Sequence, residues 1–101
     1  MFVIELFLPL QRGDSASVPH KEIEAVIAEL TERFGGATAF TKSPAEGLWK
    51  EGGSVDKDRI VIVEVMVEDL DEQWWGGFRG RLEVQFQQEQ ILIRALRCST
   101  L

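Results

Sequence analysis

The segment from Arg59 to Val67 constrains the fold more than any other part of the chain. Its nine residues read Arg59-Ile60-Val61-Ile62-Val63-Glu64-Val65-Met66-Val67, and beyond Arg59 only Glu64 interrupts the apolar run. β-Branched side chains lose rotamer freedom in a helix and pack well on a pleated surface, so the segment reads as a strand. A strand apolar on both faces belongs in the middle of a sheet, and the rest of the chain has to supply its neighbours.

Phe2 to Leu8 is the first neighbour, a β-branched and aromatic run that stops at Pro9 before the polar Gln11-Arg12-Gly13-Asp14-Ser15. From Pro19 to Phe34 the apolar positions Ile23, Val26, Ile27, Leu30 and Phe34 fall at helical spacing. Pro19 stands near the first turn and Gly35-Gly36 after the last, which predicts a helix. Ala37 to Thr41 reads as a short strand. Lys42-Ser43-Pro44-Ala45-Glu46-Gly47 interrupts it, Leu48-Trp49-Lys50 resumes an extended pattern, and Glu51-Gly52-Gly53-Ser54 reads as a turn. After the central strand, Asp71 is placed to cap a second helix, with Glu72 at its positive end. Trp75, Phe78, Leu82 and Phe86 form the apolar stripe of that helix. Gly76, Gly77 and Gly80 weaken it by roughly 1 kcal/mol each relative to alanine, so tertiary packing has to hold it. Ile91 to Arg97 reads as a closing strand.

The order is βαββαβ. It predicts one α+β domain over residues 1–101 of ferredoxin-like type, with a four-stranded antiparallel sheet in the order 4-1-3-2 and both helices on one face. A chain of this length buries roughly 65% of the surface it exposes unfolded, enough for a single core without a metal or disulfide.

Charge narrows the partners. Eleven Lys and Arg against 17 Asp and Glu give a net charge of −6, which argues against a nucleic acid or an anionic membrane as partner. Cys98 is the sole cysteine, so no internal disulfide can form, and neither it nor the lone His20 has partners at metal-ligand spacing. No metal and no cofactor is expected. The run Phe2 to Leu8 is far too short to cross a bilayer and lacks the basic flank and cleavage site of a secretory signal, so a cytoplasmic location is expected. No phosphate-binding glycine loop, H-E-x-x-H, nucleophile elbow or C-x-x-C occurs, and whether the chain is an enzyme stays open.

Alternation sorts the strand residues into two faces. Phe2, Ile4, Leu6 and Leu8, then Val61, Val63, Val65 and Val67, then Ile91, Ile93 and Ala95 form wholly apolar sets that should meet the helices. The opposite face carries Val3, Glu5 and Phe7, then Ile60, Ile62, Glu64 and Met66, then Leu92, Arg94 and Leu96, joined by Thr38 and Phe40. So much apolar surface exceeds what a monomer usually leaves in water, and a second copy is the simplest cover, giving a homodimer or higher oligomer. Glu5, Glu64 and Arg94 then form a charged cluster inside an apolar space, where carboxylates can bind a small molecule or act as acid and base. The plainer interpretation of the same three residues is an ion-pair network that fixes the register of the interface. Beside them, Thr41, Lys42, Ser43 and Glu46 can offer polar contacts to a ligand, with Trp49 as an apolar wall, unless the segment only protects a sheet edge. Trp74 and Trp75 are assigned to core packing.

Ser43-Pro44-Ala45-Glu46-Gly47-Leu48-Trp49, Val63-Glu64-Val65-Met66, Asp71-x-x-Trp74-Trp75 and Leu82-Glu83-x-x-Phe86-x-Gln88-Glu89 resemble a group of short uncharacterised bacterial proteins across Thr38 to Arg94. That group has no assigned activity, so the resemblance implies a small bacterial protein and transfers no catalytic residue. More broadly the architecture resembles dimeric α+β barrel proteins, in which ligands often lie between the open sheet face and its helices or loops. RNA-recognition domains share the topology, but the aromatic and basic pattern they need is replaced here by Arg59 to Met66. Two functional expectations follow: a homo-oligomer that binds a small molecule at the open sheet face, with acid/base chemistry as an option, or a noncatalytic protein–protein interaction module.

Overall fold

The computed structural model describes residues 1–14, 16–42, 49–51, 54–56 and 60–101. Among these, eight elements succeed one another: β1 (Phe2–Pro9), α1 (His20–Phe34), β2 (Thr38–Lys42), β3 (Trp49–Glu51), β4 (Ser54–Asp56), β5 (Ile60–Val67), α2 (Glu72–Gln85) and β6 (Ile93–Arg97). The molecule is α+β, and its two described helices accompany an antiparallel sheet whose strands lie in the order β2-β5-β1-β6. β3 and β4 pair separately as a two-stranded ribbon.

β1 alternates along its length, with Ile4, Leu6 and Leu8 buried and Val3, Glu5 and Phe7 half-buried. On β5 the residues Val61, Val63, Val65 and Val67 are buried in the same layer. Ile23, Val26 and Leu30 of α1 and Trp75, Phe78 and Leu82 of α2 join them in one core, with Phe86 and Ile91 beyond the end of α2. Eight of the largest side chains there have almost no contact with water, among them Phe86, Leu30 and Leu82. Burial of each such side chain contributes roughly 1.5–3 kcal/mol, which is how a helix with three interior glycines is held.

The helix ends follow from their residues. Pro19 is the N-cap of α1 in an extended conformation, and Gly35 ends that helix at φ 85°, its N–H donating to the carbonyl of Thr31 at 2.8 Å. A left-handed cap of this kind favours glycine. Asp71 caps α2 by accepting the Trp74 N–H at 3.1 Å. Phe34 stacks on Trp75 with ring centroids 5.1 Å apart, and Trp74 stacks on Phe78 at 4.9 Å, so the end of α1 is locked to the start of α2. Trp74 therefore packs against the core rather than reaching outward, with the Arg33 guanidinium over its ring.

At the other end, the loop after β1 holds both helices. Arg12 pairs with Glu22 of α1 and donates to the carbonyl of Gln85 at the C-terminal end of α2. Gly13 lies so close to Gln87 that a β-carbon there would come within 2.1 Å of the Gln87 carbonyl oxygen. Arg81 and Glu29 add an ion pair between the helices, and Glu83 accepts the backbone N–H of Ile91 at 2.9 Å.

The sheet departs from expectation at its last strand. Regular pairing begins at Ile93 rather than Ile91, and although Ile91 is buried, Ala95 of the helix-facing set is exposed. β6 is an edge strand, and a gap separates it from α2. The gap is an open cleft of about 240 Å³ between Trp75 and Arg79 of α2 and Ile93 and Ala95 of β6. Among the described residues, no helix is long and apolar enough to cross a membrane.

Candidate functional site

On the sheet face turned away from the helices, the register sets the side chains in three rows. Val3 is opposite Met66 on one side and Leu96 on the other. Two residues along, Glu5 is opposite Glu64 and Arg94, and Thr38 continues this row beyond Glu64. Two residues further, Phe7 is opposite Ile62, and its N–H donates to the carbonyl of Leu92 at 3.0 Å. A polar row thus runs between two apolar ones.

The contacts within the polar row are asymmetric. Arg94 Nε donates to Glu5 Oε1 at 2.6 Å, and its guanidinium also lies 5.1 Å from the centre of the Phe7 ring. Glu5 is well covered, at 15% side-chain exposure, whereas Arg94 remains 52% exposed. Nε is engaged within the chain, and among the described residues the other guanidinium donors have no hydrogen-bond partner. Glu64 pairs directly across from Glu5, and among the described residues it forms no ion pair. The row holds two carboxylates and one guanidinium, a net charge of −1.

The flanking rows are unusually exposed for their chemistry. Met66 is 48% exposed, Leu92 50% and Leu96 45%, and all three lie on this one face. Ile62, in the row of Phe7, is buried without belonging to the core cluster. Beside Glu64 and Met66, the turn from Phe34 to Thr38 borders a shallow depression of about 480 Å³.

Glu5, Glu64 and Arg94 are thus brought together in one row. Thr41 and Lys42 fall on β2, where they pair with Val61 and Ile60, and Trp49 opens β3. Ser43 and Glu46 lie outside the described residues. The cleft between α2 and β6 was not foreseen from the sequence. Its signal was the exposed Ala95, which depends on how far α2 reaches across the sheet and leaves no mark in local alternation. Among the described residues, no group of three His, Cys, Asp or Glu side chains is placed to hold a metal ion.

No protein-family model matches the sequence, and no curated protein matches it significantly. Two solved structures are similar in fold. A phage SAM lyase in complex with S-methyl-5'-thioadenosine aligns with a TM-score of 0.64 at 16% identity, covering 95% of this chain and 80% of that one. Phage SAM lyase in the apo state aligns with a TM-score of 0.59 at 19% identity, covering 94% of this chain and 78% of that one. At these identities the likeness is one of fold.

Proposed function

We propose that the protein is a cytoplasmic bacterial homo-oligomer of ferredoxin-like topology that binds a small cationic molecule at the charged row of its sheet face. The observation that carries this reading is the row itself: Glu64, Glu5 and Arg94 side by side between two apolar rows, with one negative charge in excess. Two carboxylates in a row bordered by the apolar rows of Phe7 and of Met66 and Leu96 suit a ligand whose positive charge is surrounded by apolar atoms.

The fold likeness to a SAM lyase guides the choice of probe. S-Adenosylmethionine carries a sulfonium cation between carbon substituents, and S-methyl-5'-thioadenosine is the corresponding neutral thioether. One fold hosts many functions, so the charge of the ligand rests on the row and its adenosyl part on the analogy. Calorimetric titration separates the two. The expected result is tighter binding of the sulfonium than of the thioether, with Glu64→Gln weakening the sulfonium about tenfold and the thioether hardly at all. If neither compound binds, the adenosyl assignment fails; if Glu64→Gln changes neither affinity, the charged row is not the site.

The exposed Met66, Leu92 and Leu96 favour a second reading, a noncatalytic interaction module that covers this face with another protein. It gains if a complex with a different protein survives gel filtration while neither adenosyl compound binds.

A further inference from the structure

We infer that the sheet face is closed by a second copy related by a two-fold axis along β1, with Arg94 of each subunit on Glu64 of the other. This deepens the oligomeric reading above by naming the partner and the contact that selects it. The argument is charge complementarity across the three rows. Rotation by 180° about an axis parallel to β1 and passing over Glu5 keeps every row at its own level and exchanges its two ends. Met66 then meets the partner copy's position 96, position 92 falls at the level of Ile62, which is already buried within its own chain, and Val3 and Phe7 meet their own counterparts, so apolar rows stay level with apolar rows. In the polar row, position 64 meets position 94 twice. The remaining donors of a half-exposed Arg94, already held through Nε by Glu5, then meet the carboxylate that forms no ion pair among the described residues.

The alternative face-to-face arrangement, with its axis across the strands, sets Arg94 over Arg94 and Glu64 over Glu64. Like charges facing each other in a dry interface disfavour that partner geometry. Glu5 falls nearest the axis in the favoured arrangement and arrives with its own neutralising Arg94. Each subunit contributes −1, so the closed contact holds −2 near its centre. A site for a cation thus takes residues from both copies and is incomplete in either alone.

The experiment is a charge swap read by light scattering and sedimentation, with circular dichroism and thermal unfolding confirming that each variant folds. Wild type is expected to be dimeric. Glu64→Arg sets a second guanidinium against Arg94 at both contacts and is expected to weaken the dimer about 100-fold, as is Arg94→Glu, which sets carboxylate against carboxylate. Mixed in equal amounts, the two variants are expected to form a heterodimer within about tenfold of wild-type affinity, since position 64 of each then faces the opposite charge at position 94 of the other. If Arg94→Glu does not fold, Arg94→Gln takes its place and restores the mixed dimer in part.

A dimeric wild type with a dimeric Glu64→Arg overturns the pairing and leaves the oligomeric reading intact. Variants that become monomeric yet form no heterodimer on mixing also overturn it. A monomeric wild type overturns both the pairing and the oligomer. Rescue on mixing, without binding of either adenosyl compound, upholds the pairing and removes the ligand.

Discussion

Replacing Gly76, Gly77 and Gly80 by alanine together should stabilise the protein, and the size of the gain tests how α2 is held. All three lie inside α2, and a β-carbon built on each meets no heavy atom within 4 Å. Neither contact nor positive φ therefore calls for glycine at these positions. Glycine in a helix interior costs about 0.8–1 kcal/mol relative to alanine, much of it through the freedom of the unfolded chain. Three sites sum to nearly 3 kcal/mol, and because they are neighbours on one helix the expectation is taken as about 2 kcal/mol. For a domain of this size that raises the unfolding midpoint by about 8–16 °C. Trp74 and Trp75 sit on the same helix, so tryptophan fluorescence against urea and temperature reports the transition directly. The urea slope should stay unchanged, since no additional surface is buried. A lowered midpoint in dilute, monomeric protein would refute the reasoning, because the space above the glycines would then have to be occupied within the chain. A raised midpoint accompanied by a smaller solution mass would place a partner against that face of α2.

Gly13→Ala should have the opposite sign: a β-carbon 2.1 Å from the Gln87 carbonyl oxygen forces the backbone apart, costing about 1–3 kcal/mol in a urea titration. Asp71→Ala removes the acceptor for the Trp74 N–H and should cost about 1 kcal/mol, while Asp71→Asn, which can still cap, should recover most of it. Leu30→Ala opens a cavity between α1 and the sheet and should cost about 2–5 kcal/mol, visible as a lower urea midpoint with an unchanged slope. In the presence of a ligand that binds the charged row, the wild-type midpoint should rise with ligand concentration and that of Glu64→Gln should rise less.

The parts of this fold that were legible in the sequence are those decided by local spacing. Ile23, Val26 and Leu30 mark the buried face of α1, and Trp75, Phe78 and Leu82 that of α2, because a 3.6-residue period leaves few alternatives. Alternation likewise separates Ile4, Leu6 and Leu8 from Val3, Glu5 and Phe7. What stayed illegible depends on tertiary reach. Ala95 shares its alternation with Ile93, yet Ile93 packs against the core and Ala95 is exposed, and no local pattern says where a helix stops covering an edge strand. The Arg12 clasp joins residues 73 positions apart through a backbone carbonyl, which carries no side-chain signature at all. Within the candidate site, the mid-strand positions of Glu5, Glu64 and Arg94 could be read, but not that Arg94 would bond Glu5. That choice follows from register and from the reach of two side chains.

The placement of β1 also bears on how the chain is made. Phe2 pairs with Val67 on one side and with Arg97 on the other, and Glu5 bonds a residue 89 positions later. During synthesis the first strand therefore emerges long before either of its neighbours. α1 can form and shield part of its apolar face, but both hydrogen-bonding edges stay open until β5 and then β6 arrive. Contacts so distant along the chain make folding slow and leave strand edges exposed to other nascent chains. A stall between residues 67 and 93 would hold the protein with β1 paired on one side only, the stage at which a chaperone would have most to protect.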